Sequence, residues 1–111
     1  MQINYEDFVK VDMRIGRINR VANFPAARKP SYKLWIDFGL EIGVKKSSAQ
    51  LTQFYKPEEL EGKLVVAVVN FPARQVADFM SEVLVLGAVG DDGEVILLEP
   101  ERDVPLGWKI A

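Results

Sequence analysis

The chain is 111 residues long, with a formal net charge of −2, 49% hydrophobic residues and 27% charged residues, proportions that suit one globular domain. It contains no cysteine and no histidine, which excludes disulfide frameworks, thiolate or imidazole metal sites, cysteine nucleophiles and histidine-based triads. Residues 1–74 carry 12 Lys and Arg against 8 Asp and Glu, whereas residues 75–111 carry 2 against 8; the fold either segregates a polyanion-facing side from an acidic one or interleaves the charges.

The N-terminus, MQINYEDFV, has neither a basic start nor an apolar targeting core. Asn4 is placed to cap a short helix through Tyr5, Phe8 and Val9, with Asp7 at its third position. Tyr5 and Phe8 share one face, and so short a helix must dock on its own barrel or on a partner. Residues 12–24, DMRIGRINRVANF, break their in–out alternation beside a glycine, which predicts a long bent strand with a bulge, studded by Arg14, Arg17 and Arg20. PAARKP at 25–30 reads as a proline-bounded loop. In the strand that follows, Tyr32, Leu34, Ile36 and Phe38 form one face, and Lys33, Trp35 and Asp37 the other.

Gly39 and Gly43 bracket a turn into VKKSSAQ (44–50), the next strand, and LTQFY with PEEL (51–60) predicts one or two helical turns that start at Pro57 and stop at Gly62. KLVVAVVNF (63–71) is apolar on both faces and reads as a central strand. Residues 71–80 read as an irregular loop, 82–89 as a strand, GDDG (90–93) as a hairpin turn and 94–100 as the returning strand, before a tail containing Trp108 and Ile110. LVVAVV and VLVLGAV fall far short of the roughly 20 residues of a membrane helix, so no membrane insertion is expected and a cytoplasmic location is. Five or six short strands with one interposed helical turn predict an all-β, five-stranded Greek-key barrel of the OB type, with a short N-terminal helix, a helical turn between strands 3 and 4, and a C-terminal extension. An SH3-like barrel is the alternative.

VKKSSAQ puts Lys45, Ser47 and Ala49 on one face and Lys46, Ser48 and Gln50 on the other. Lysine and hydroxyl donors at alternate positions suit a phosphate–sugar backbone; taken alone, the stretch fits a solvated sheet edge better. Lys33 and Trp35 share an outer face, as a stacking platform for an unpaired base would require, or as an indole under a loop would. Asn70 and Arg74 flank a proline-stiffened turn, where Arg74 can grip a phosphate or lie in water. The phosphate-facing candidates are thus Arg28, Lys29, Lys33, Lys45, Lys46 and Arg74, with Ser47, Ser48, Gln50 and Asn70 as hydrogen-bond donors. Phe79 and Met80, with Trp35, could instead form an apolar groove for extended polypeptide, or simply plug the barrel end. No spacing gathers the carboxylates, and no P-loop, G-x-G-x-x-G or HExxH occurs; no catalytic residue, metal or cofactor is expected.

The motifs VDMRIGRI, FPAARKPSYKLWIDFG, KKSSAQ, VAVVNFPARQVADFMSEVLVLGA and ILLEP, in that order over residues 6–110, resemble the tRNA-binding-domain family, nearest to its bacterial export-related chaperone branch. The resemblance implies one OB-fold domain over 1–111, its core at about 10–100, forming a homodimer in which Tyr5, Phe8 and Trp108 find burial. It implies tRNA binding through the segment 45–50, without strong demands on base sequence. For the chaperone branch it also implies unfolded or precursor polypeptides and the Sec export machinery as partners. A structure-specific tRNA-binding module with no chaperone role is the alternative reading.

Overall fold

The computed structural model describes residues 1–111. Helix α1 (Tyr5–Val9) precedes β1 (Met13–Asn23), β2 (Tyr32–Asp37), β3 (Val44–Ala49), α2 (Pro57–Leu60) and β4 (Leu64–Val68). Short strands β5 (Arg74–Val76), β6 (Phe79–Ser81), β7 (Leu84–Val85), β8 (Gly87–Val89) and β9 (Val95–Leu97) complete the chain. The main sheet is antiparallel in the order β3-β2-β1-β4-β7, and β5–β6 and β8–β9 are separate hairpins.

β1 is long enough to serve two partners: Met13–Arg17 pairs with β4, and Arg17–Asn23 pairs with β2. The ladder to β2 slips between Ile18 and Arg20, so Asn19 is the extra residue of the bulge that the broken alternation predicts. Gly16 marks the bend. A Cβ there would lie 2.6 Å from Ile36 Cγ2 and 2.7 Å from the Phe38 ring, so only glycine lets β1 cross so close to β2.

The sheet curls until β3 meets the segment leading into β7. Glu82 N–H donates to the Lys46 carbonyl at 2.8 Å, and the Glu82 carboxylate accepts Lys46 N–H at 2.9 Å. Ser81 Oγ accepts Ser48 N–H at 3.0 Å. Two side chains therefore complete a seam that a regular ladder would otherwise form, and the result is a nearly closed five-stranded antiparallel barrel of the OB type. Its interior is the cluster built on Ile18, Leu34, Ile36, Phe38, Val65 and Ala67. Leu51, Tyr55 and Leu60 plug one end around α2, where the Tyr32 hydroxyl donates to the Tyr55 carbonyl at 2.8 Å.

β4 is buried at all five positions because it is covered on both sides. Val65 and Ala67 face the barrel, while Leu64 and Val66 join Ile15 in an outer cluster roofed by Val104, Leu106 and Ile110 of the tail. The tail is fixed to β1 by Ile15 N–H to the Trp108 carbonyl (3.0 Å), Gly107 N–H to the Ile15 carbonyl (2.8 Å) and Ile110 N–H to the Met13 carbonyl (2.9 Å). Arg14 adds a bond to the Gly107 carbonyl at 3.1 Å and pairs with Asp12 at 2.7 Å, and the Asp12 hydrogen bond raises its pKa above the ordinary arginine value.

Two stretches differ from the expectation. The loop predicted over 71–80 contains the β5–β6 hairpin, whose turn places Ala77 at φ +52. The strand predicted over 82–89 is divided between β7, which pairs with β4, and β8, which pairs with β9.

Candidate nucleic-acid interface

Register decides which face of VKKSSAQ meets solvent. Ser47 lies opposite Leu34 and Lys45 opposite Ile36, both of which point into the core. Ser47 is consequently only 1% exposed, and its hydroxyl donates to the Ser48 carbonyl at 3.2 Å. The expectation that Ser47 donates to a phosphate is corrected: its neighbours across the ladder turn it inward. Lys45 takes the same parity but lies toward the strand's start and is half-buried, and Gln50 just beyond β3 is exposed. Lys46 and Ser48 take the outer parity, opposite Trp35 and Lys33 respectively.

The bulge at Asn19 then sets the third side of the site. Without the extra residue, Arg20 would share the inward parity of Ile18; with it, Arg20 lies opposite Trp35 on the outer face. Its guanidinium carbon lies 4.4 Å from the Trp35 ring centroid. The two other arginines of β1 are occupied structurally, Arg14 by Asp12 and the tail, Arg17 by the Gly62 carbonyl at 2.7 Å. Sequence reasoning placed Arg20 on the strand but not in the site; the parity break between Ile18 and Val21 is the signal that could have found it.

The β5–β6 hairpin closes over this face. Phe79, 6% exposed, meets Trp35 edge-on at 5.7 Å and Phe24 edge-on at 5.6 Å between centroids. Lys33 Nζ lies 4.8 Å from the Phe24 centroid and 5.2 Å from that of Phe79, and Lys46 Nζ lies 5.1 Å from Phe79. Three cations thus converge on three rings. Each such contact contributes about 0.5–1 kcal/mol where exposed, enough to bias the position of the ammonium group without neutralising it. Of the three, only Lys33 has a carboxylate within salt-bridge distance, Asp78 at 3.9 Å, and Asp78 is 75% exposed, so that pair is weak.

Alternation separates Phe79 from Met80. Phe79 faces the cluster, whereas Met80, opposite Gln75, projects from the other side of the hairpin and is exposed. The apolar groove expected from the two together is therefore corrected: Phe79 is a buried floor and Met80 is not beside it. Arg74, opposite Ser81, shares the parity of Phe79 and is exposed without a carboxylate partner. Arg28 and Lys29 are exposed on the loop after Phe24, beside an open hollow of about 510 Å³ lined by Asn23, Phe24, Arg28 and Thr52 among others.

Asn70 does not join them. Its Oδ1 accepts Asp12 N–H at 3.0 Å and its Nδ2 donates to the Lys10 carbonyl at 2.7 Å, at the Met13 end of β1 rather than the Arg20 end. Its amide ties the exit of α1 to the end of β4, away from the other candidates. Tyr5 and Trp108 are 73% and 58% exposed, and Phe8 is half-buried against Tyr5 at 6.3 Å between centroids.

The charges do segregate in part. Glu59, Glu61, Glu99, Glu101 and Asp103 line a second hollow of about 410 Å³ beside Gly62, with Arg17, Lys63 and Arg102 among them. Lys63 pairs with Glu99 at 3.4 Å there, and Arg102 pairs with Glu101. Carboxylates of both halves of the chain gather at this hollow, which includes no residue of the Trp35 cluster. No group of acidic residues is arranged to hold a metal ion, and no helix is long and apolar enough to cross a membrane.

Comparison with known proteins gives a consistent answer. Residues 13–109 match the protein family described as "Putative tRNA binding domain". The fold is similar to the crystal structure of chaperone CsaA from Bacillus anthracis str. Ames, with 51% identity, a TM-score of 0.95 and full coverage of both chains. It is likewise similar to the CsaA chaperone protein of Picrophilus torridus, with 55% identity and a TM-score of 0.92, covering 99% of this chain and 100% of the other. Methionine–tRNA ligase of Pyrococcus horikoshii is 40% identical over 109 residues, which is 97% of this chain and 14% of the ligase; the chain spans about one-seventh of the curated relatives that it matches.

Proposed function

The chain belongs to the tRNA-binding-domain family, and on that premise we propose that it binds tRNA, without catalysis, on the outer face of β1, β2 and β3 and the adjoining β5–β6 hairpin. Arg20, Lys33 and Lys46 take phosphates at the centre; Arg74, Arg28 and Lys29 extend the contact, and Lys45, Ser48 and Gln50 contribute at the rim. Trp35 offers its half-buried indole to an unpaired base, where stacking contributes about 1–3 kcal/mol. The observation that carries this reading is the convergence of three cations on three rings with one weak carboxylate partner among them. A solvated edge would scatter such side chains; here β-pairing and a bulge focus them. The test is tRNA retention by Lys45→Glu combined with Lys46→Glu. The double variant loses binding, and unchanged retention would refute the assignment.

A second reading, that the protein is also a chaperone of unfolded or precursor polypeptides serving export with the Sec machinery, is supported by the likeness to the two CsaA chaperone structures and by large apolar side chains left at the surface, among them Phe54, Phe71 and Met80. Suppression of aggregation of a chemically denatured client protein tests it; no suppression at a molar excess of this protein removes it. The exposed Tyr5, with Phe8 beside it, and the exposed Trp108 support a homodimer, which we place in the cytoplasm. Light scattering then reports about twice 12.5 kDa, and a monomer at micromolar concentration contradicts it.

A further inference from the structure

Residues that sequence logic divides between two ligands fall on one surface. Trp35, a polypeptide-binding candidate, lies directly between Arg20 and Lys46 in the ladder, and Phe79, another, lies beneath the ammonium groups of Lys33 and Lys46. With Phe24 and Phe79 both buried, what an incoming chain meets here is the indole of Trp35 rimmed by three cations. Any segment seeking apolar contact with that indole must also meet those charges. A basic segment would press like charges together on a partly dehydrated surface, which is a strong ground for rejection. A segment with carboxylates beside a large apolar side chain satisfies both parts of the surface.

The protein itself supplies a precedent. Asp78, at the tip of the β5–β6 hairpin, lies 3.9 Å from Lys33 Nζ, the same ammonium that rests on Phe24 and Phe79. A carboxylate next to an aromatic residue, Asp78 in the hairpin turn and Phe79 at the start of β6, thus already lies against this surface. Resting on the proposed tRNA site, we infer that the cation-rimmed surface around Trp35 also accepts acidic, apolar polypeptide segments in extended form, and that RNA and such a segment exclude each other. RNA would then act as a regulator of polypeptide capture: ammonium groups engaged by phosphates are not available to a client's carboxylates.

The probe is a short fluorescein-labelled peptide alternating aspartate with phenylalanine and leucine, with a twin carrying lysine in place of each aspartate. Fluorescence anisotropy on the full chain measures direct binding, followed by titration with unlabelled bulk tRNA. The acidic peptide binds at least about tenfold tighter than its twin, and tRNA displaces it completely, raising its apparent Kd in proportion to tRNA concentration. Lys33→Ala combined with Lys46→Ala weakens the peptide and tRNA together, whereas Asp78→Asn, which removes the internal carboxylate, strengthens both by about two- to fourfold. A ternary complex of protein, peptide and tRNA, equal binding of the two peptides, or failure of the acidic peptide to bind overturns the inference. Separate titration with labelled tRNA distinguishes the levels: loss of tRNA binding itself defeats the functional reading beneath, while simultaneous binding defeats only the exclusion.

Discussion

Replacing Lys33 and Lys46 by alanine tests the electrostatic part of the account in numbers. Both ammonium groups lie within 5.2 Å of the Phe79 centroid, and neither is neutralised by a strong ion pair. A phosphate contact contributes about 0.7 to the slope of log K against log salt for a single strand and about 0.9 for a duplex. Removing two contacts should therefore flatten the slope by about 1.4–1.8. Relative to about 1 M salt, where the counterion contribution vanishes, each contact is then worth about 3.8- to 5.5-fold at about 0.15 M, and the pair about 14- to 30-fold. Stability falls by about 0.5–1 kcal/mol for each lost ring contact, so the fold survives, which a thermal melt checks. The assay is anisotropy of labelled bulk tRNA across a potassium chloride series. An affinity loss with an unchanged slope would show instead that the lysines act through structure rather than through phosphates.

Arg20→Ala should weaken tRNA binding by about fivefold, and tRNA should quench the fluorescence of a Trp108→Phe variant but not that of Trp35→Phe, since the indole beside Arg20 is the one that a base covers. Asn70→Ala should lower stability by about 1–2 kcal/mol in urea denaturation through loss of its two backbone bonds while tRNA affinity stays unchanged; a comparable affinity loss would restore Asn70 to the site. Gly16→Ala drives a methyl against Ile36 and Phe38 and should cost about 1–3 kcal/mol by the same method. With no histidine in the chain, tRNA affinity at fixed ionic strength should be flat between about pH 6 and 8; a titration step there would point to a group outside this account.

Much of the barrel is legible in the chain because its physical causes are local. β2 alternates cleanly, since one side packs the core and the other meets the hairpin. β4 is apolar throughout because the barrel lies on one side and the tail on the other. The parity break of β1 is a bulge written directly into the order of side chains. The β5–β6 hairpin was not legible: its strands have three residues each, and its turn places Ala77 rather than glycine or asparagine in the left-handed region. The faces of VKKSSAQ were not legible either. Both carry a lysine and a serine, and only the cross-strand pairing of Ser47 with Leu34 assigns one of them to the interior. Asn70 fits a turn, a phosphate or a backbone clamp equally well as a residue type, and the choice depends on residues 58 and 60 positions away along the chain.

The central claim is that tRNA lies across the cation-rimmed face of Trp35. Ultraviolet cross-linking of the native protein to bulk tRNA, followed by mass spectrometry of the modified peptides, tests it most directly. Adducts are expected on the segments 20–35, 45–50 and 74–81. Adducts confined to the tail or to the acidic hollow around Glu61 and Glu99 would contradict it.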